Sequence, residues 1–272
     1  MKRLIAALFL GSVLLSAAPA VLAQAETTGI DPEAIIERML AVERQQAAAL
    51  DNVVLEAEYL EGEEEENGEF VEKVRFDKRV YIRYLEDTAW YHEEYFAYYK
   101  DGRAQDSKDL AKEAAKRKEK KRKRKARDIS FPMLAPFYPE NRDQYEIVYQ
   151  GINTEEIESY VCHRFTVTAK VEGAEQINGD FFVEADSFHL VRVDFSPAKL
   201  VKKTMFKLKQ LNMSVVYGPT PDGFWLPRRF DIEGEGKAAF FFGVKFAGTE
   251  YYRNPTVNAD ISDEIFEVTD DD

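Results

Sequence analysis

Residues 179–196, Gly-Asp-Phe-Phe-Val-Glu-Ala-Asp-Ser-Phe-His-Leu-Val-Arg-Val-Asp-Phe-Ser, decide the fold. They read as two short strands rich in Phe and Val, joined through the polar pair Asp186-Ser187 as a hairpin. Runs of the same kind lie on both sides. Residues 53–60 alternate, with Val53, Leu55, Ala57 and Tyr59 on one side and Glu56 and Glu58 on the other, as in a half-buried strand. Runs at 70–76, 79–85, 88–93, 95–100, 144–150 and 160–170 precede the hairpin, and runs at 205–217, 224–232 and 238–252 follow it. The chain is therefore expected to be mainly β (α+β), built on one large antiparallel sheet of about eleven strands. Within 205–217 the apolar phase slips by one residue, from Phe206 and Leu208 to Leu211, Met213, Val215 and Tyr217, which predicts a β-bulge. Pro227 places its strand near an edge or a bulge.

Other segments frame the sheet. Residues 1–23 read as a secretory leader, with Lys2 and Arg3, an apolar run at 4–15 and a small-residue tail; cleavage falls after Ala23 or Ala25. The apolar run is shorter than the ~18 residues of a membrane span. No cysteine near the cleavage site signals a lipid anchor, and no later segment is apolar enough to cross a bilayer. The mature product is expected to be soluble and exported. Asp31-Pro32-Glu33 starts a helix that presents Ile35, Ile36, Met39, Leu40 and Val42 at helical spacing. Residues 61–68 form an acidic hairpin tip ending in Asn-Gly. Residues 131–139 are apolar but carry three prolines, so they form no regular central strand. Such a segment must lie on something, and a lid is the natural reading.

Cys162 is the single cysteine, so no disulfide forms within the chain and core burial must supply the stability. The chain carries −13 in all, yet 108–127 holds twelve basic and three acidic residues, and removing that +9 and the leader's +2 leaves −24 on the rest. Helix propensity favours a helix there, without an apolar stripe after Leu110. Three readings of this run stay open: a solvated helical insertion held by the acidic body, contact of Lys116, Arg117, Lys120, Lys121 and Arg124 with anionic lipid headgroups, and nucleic-acid binding, which export argues against. Catalytic patterns are lacking: no nucleophile elbow, phosphate loop or dinucleotide fingerprint is present. His92, His163 and His189 lack metal-ligand spacing. Cys162 reads as a small buried residue. No cofactor, metal or enzymatic activity is expected.

Residues 179–192, the stretch Gly223-Phe-Trp-Leu-Pro227 and the ending Ile261-Ser-Asp-Glu-Ile-Phe266 resemble the periplasmic carriers of the LolA/LolB type, and more closely the outer-membrane lipoprotein-sorting proteins. The resemblance implies that 26–272 form an incomplete, strongly curved β-barrel whose open side is covered by helices, with the insertion at 104–128 foreign to the simplest carriers. It implies a periplasmic location and a concave apolar interior that receives the acyl chains of a lipoprotein or lipid. The family's cavity arginine has no clean counterpart, because Arg75 stands one position off and Phe76-Asp77-Lys78 replaces the turn that should follow it.

The interior is assigned to Phe224, Phe230, Phe240, Phe242, Val244 and Phe246, and the lid to Phe131, Met133, Leu134 and Phe137. A hollow that takes a hydrocarbon chain and an interior filled by its own side chains both fit this pattern. The expected role is a monomeric exported carrier of acyl chains that binds no nucleic acid. The alternative is a binding or sensor domain of the same fold that recognises a protein partner.

Overall fold

The computed structural model describes residues 31–64, 70–85, 89–123, 133–171, 173, 176–200, 202–203, 206–238 and 242–266. Helix α1 (Pro32–Ala49) starts as its sequence dictates: the Asp31 carboxylate accepts the Glu33 N–H at 3.0 Å, and Pro32 occupies the first turn. The strands are β1 (Asn52–Glu64), β2 (Phe70–Tyr84), β3 (Ala89–Lys100), β4 (Arg103–Ala104), β5 (Tyr145–Ile152), β6 (Cys162–Ala169), β7 (Ile177–Glu184), β8 (Leu190–Pro197), β9 (Lys202–Lys203), β10 (Phe206–Pro219), β11 (Trp225–Ala238) and β12 (Phe242–Val257), and α2 (Ser107–Lys123) follows β4.

Eleven of these strands lie side by side in the order β4-β3-β2-β1-β12-β11-β10-β8-β7-β6-β5, and β9 adds two residues to β10. The ends, β4 and β5, do not meet, so the sheet is open, as expected of an incomplete barrel. Runs 70–76 and 79–85 are one strand, because Asp77 and Lys78 keep the ladder with β1. From Ala89 on, the runs at 88–93 and 95–100 are also one strand, with Phe96 bulged out between the Lys78–Tyr95 and Asp77–Ala97 pairs, and Thr88 lies outside the described residues. The phase slip of β10 is a bulge at Lys209, between the Leu208–Gly236 and Gln210–Glu235 pairs. Pro227 sits in a central strand beside a second bulge at Arg228, where the regular ladder is already interrupted.

The β7–β8 hairpin is longer than a two-residue turn. Residues 185–189 form the loop, the Glu184 carboxylate accepts the N–H groups of Asp186 and Ser187, and Phe188 takes φ +61° and packs on the core. Cross-strand register builds one continuous row over ten strands: Tyr149, Phe165, Phe181, Val193, Val215, Phe230, Glu250, Tyr59, Phe76 and Tyr98. This row marks the inner face. Glycine is required in it at position 179, where an added Cβ would come within 2.2 Å of the Asp194 carbonyl oxygen and 2.9 Å of the Phe195 Cα.

Gly179→Ala is expected to destabilise the protein by about 1–3 kcal/mol, as overpacking against backbone does. Gly243→Ala, whose Cβ meets nothing within 4 Å, should leave the melting temperature unchanged. Equal effects of the two substitutions in thermal denaturation would contradict the β7–β8 register.

Candidate ligand-binding strip

Half of the inner face is filled. Ile35, Ile36, Met39 and Leu40 of α1, with Met133, Leu134 and Phe137, pack on Phe165, Val167, Phe181, Val183, Val193 and Phe195. Phe137 is fully buried, edge-on to Phe165 at 5.8 Å and to Phe181 at 5.0 Å. The Arg142 guanidinium donates to the Phe137 carbonyl at 2.8 Å and pairs with Glu33 of α1. Met133, Leu134 and Phe137, assigned to the lid, are thus packed into the core in this structure; Phe131 lies outside the described residues. Under α1 the rings interlock.

The cover reaches Val215 on β10, with Met213, Tyr217 and Phe230 packed against its edge, but it does not bury the rest of the central strands. Leu211 and Met213 on β10, Phe230 and Ile232 on β11, and Val244 and Phe246 on β12 share the inner face and are only half-buried. Opposite the last two stand Gly236 and Gly234. A Cβ on Gly234 would come within 2.4 Å of the Phe246 Cζ, so the ring lies over the bare backbone. Of the residues assigned to the interior, Phe230, Val244 and Phe246 therefore come together here. Phe224 does not: it packs at the end of the sheet with the cluster of Leu50, Val53, Leu55 and Leu226. Phe242 pairs with Ala238 at the start of β12, and Phe240 lies outside the described residues. A separate cavity of about 200 Å³ near Leu55, Pro219, Leu226 and Tyr252 falls below the roughly 300–1,000 Å³ typical of small-molecule sites.

Towards β1–β3 the inner face carries a buried polar group beside the apolar cluster of Val53, Leu55, Ala57 and Val80. Lys78 and Glu93 are 4% and 5% exposed and in direct contact, and the Lys78 Nζ is 2.7 Å from the Glu250 carboxylate. The Tyr91 and Tyr95 hydroxyls each donate to Glu93 at 2.7 Å. Burial pulls the Lys78 ammonium down, but the carboxylates of Glu250 and Glu93 outweigh it and the net shift is upward. Burial, reinforced by the same carboxylates, pushes the Tyr91 and Tyr252 phenols well up. Sequence reasoning missed this group, although Lys78 stands in phase with Phe76, Val80 and Ile82.

Helix α2 borders this region. Leu110, Glu113, Ala114 and Arg117 form a half-buried stripe at helical spacing. The Arg117 guanidinium lies 4.3 Å from the Phe76 ring centre and 4.8 Å from that of Tyr59, and meets Glu61 at 3.1 Å. Arg117 therefore faces the sheet. Lys116 is exposed and pairs with Glu113 of its own helix. Lys120 and Lys121 lie in α2 with side chains outside the described set, and Arg124 is outside it altogether. Arg75 lies on the outer face, 3.8 Å over the Tyr99 ring, so it cannot serve the interior. On the same outer side Cys162 is buried with Phe182 and Val191, and burial pushes its thiol up to about 12, which makes it a poor nucleophile. Among the described residues no group of His, Cys, Asp and Glu is placed to hold a metal, and no helix is long and apolar enough to cross a membrane.

No family model matches the chain, and no curated protein matches it. Similar solved structures include a DUF1329 family protein from Desulfovibrio piger, 14% identical, covering 88% of this chain and 98% of that one with a TM-score of 0.46. A putative outer membrane lipoprotein-sorting protein domain from Vibrio parahaemolyticus is 10% identical over 85% and 97%, with a TM-score of 0.37. A LolA superfamily protein from Nitrosomonas europaea is 9% identical over 85% and 97%, with a TM-score of 0.35. The group that the sequence resembles is thus among the chain's structural neighbours, at overlaps that carry no argument about ligand, partner or activity.

Lys78→Met is expected to cost about 3–5 kcal/mol near neutral pH, because it leaves Glu93 and Glu250 buried without their counter-ion. In wild type the raised Lys78 pKa gives a contribution present below the ordinary lysine range and lost as pH rises through the folded value. Urea denaturation of both proteins across pH checks the sign: the deficit of the variant should shrink as pH rises through the raised lysine value, and a deficit that stays constant there would contradict the buried ion group.

Proposed function

We propose that the chain is an exported carrier that holds an acyl chain of a lipid or lipoprotein along Leu211, Met213, Phe230, Ile232, Val244 and Phe246. One observation carries the reading: the inner face is sealed under α1 as far as Val215, whereas these six apolar side chains on β10–β12 stay half-exposed. Each methylene moved out of water onto such a surface gains about 0.8 kcal/mol. A long chain therefore gains several kcal/mol, and losses of translational and side-chain freedom offset a large part of it. What results is a reversible grip, which suits collection and release. No bond-making chemistry is involved.

Native mass spectrometry of the full-length protein purified from cell envelopes should reveal a co-purifying lipid or acylated peptide. A stoichiometric protein without lipid would instead favour the partner-binding alternative. Ile232→Glu and Phe246→Glu should each weaken uptake of a fluorescent fatty acid roughly tenfold or more, the effect of about 1.4 kcal/mol, with the circular dichroism spectrum unchanged. Unchanged uptake in both variants would contradict the strip.

A further inference from the structure

We infer that α2 docks the protein on an anionic lipid surface through its outward lysines, while Arg117 fixes the helix beside the strip. The argument is one of charge placement. From Ser107 to Lys123 the helix has nine basic and three acidic residues, against −24 on the chain outside the leader and 108–127. Attraction alone would draw such a helix flat onto its own body. Instead Leu110, Glu113, Ala114 and Arg117 define an inward face, and Lys108, Lys112 and Lys118 are exposed without a carboxylate partner among the described residues. Lys116 is satisfied within the helix by Glu113. Only Arg117, among the described side chains of α2, is paired with an acid on the sheet.

An anionic bilayer supplies the missing counter-charge. The acidic body is repelled by such a surface and the helix is attracted, so approach is oriented, with α2 foremost. Lipid also fits better than a soluble polyanion, because of where the anchor sits. Glu61, which holds Arg117, pairs with Gly248, and Gly248 pairs with Ile232, so the anchor is two strands from the centre of the strip. Docking by α2 thus brings the apolar strip to the bilayer from which an acyl chain enters or leaves. The docking stands on charge alone, and its use in delivery rests on the carrier reading.

The test is flotation of the full-length protein with phosphatidylcholine vesicles, with and without phosphatidylglycerol. Wild type should bind only the anionic vesicles, and high salt should release it. The triple variant Lys108→Glu, Lys112→Glu and Lys118→Glu should bind them at least about tenfold more weakly. Its fatty-acid uptake in solution and its melting temperature should match wild type. Full binding by the variant, equal binding to neutral vesicles, or binding to duplex DNA but not to vesicles would each overturn the inference. Failure of the carrier reading appears differently, as salt-sensitive vesicle binding by a protein that takes up no acyl chain.

Discussion

The constraint on which the rest depends is a mismatch of width. Eleven strands about 4.8 Å apart present an inner face nearly 50 Å across. An eighteen-residue helix is about 27 Å long and roughly 10 Å wide, so α1 covers only part of it. The 133–138 segment extends the cover by a few side chains, and Phe137 completes the core there. Beyond it no second apolar helix covers the sheet among the described residues, because α2 turns inward a narrow stripe that is half charged. A partly apolar strip between the two helices is the geometric remainder.

Around that remainder the chain uses polar chemistry where a closed barrel would use hydrocarbon. Lys78, Glu93 and Glu250, with the tyrosines around them, occupy the inner face where no apolar helix seals it. A buried ion group contributes little to stability in itself, since desolvation offsets most of the attraction. Its effect is positional. It ends the apolar strip at the β12–β1 boundary, where Glu250 interrupts an otherwise uncharged row across ten strands. Arg117 closes the same boundary from above by stacking on Tyr59 and Phe76.

Much of this fold was legible in the sequence because local signals and tertiary structure agree. The Asp31 cap, the alternation of β1, the bulge at Lys209 and the bulge beside Pro227 each follow from residue chemistry at their own position. The misreadings share a cause, which is that the deciding partner is distant in the chain. Runs 70–76 and 79–85 looked separate because Asp77 and Lys78 are polar, and only Glu93 and Glu250 make Lys78 acceptable inside. The inward stripe of α2 was invisible to a hydrophobic period because its strongest contact is an arginine on aromatic rings. Residues 131–139 were read as a lid from their prolines, and the packing of Phe137 against Phe165 and Phe181 is a distant contact that the prolines do not announce. Three of the six residues assigned to the interior meet on the strip, because strand alternation places Phe230, Val244 and Phe246 reliably while Phe224 precedes its strand.

The central claim is that the inner face between α1 and α2 stays open to a hydrocarbon chain. Its most direct measurement is a crystal structure of the protein soaked with a bromine-labelled fatty acid, read by anomalous scattering. The account predicts bromine peaks along the line from Leu211 through Ile232 to Phe246. Peaks confined to other surfaces, or a strip found filled by the protein's own side chains, would contradict it.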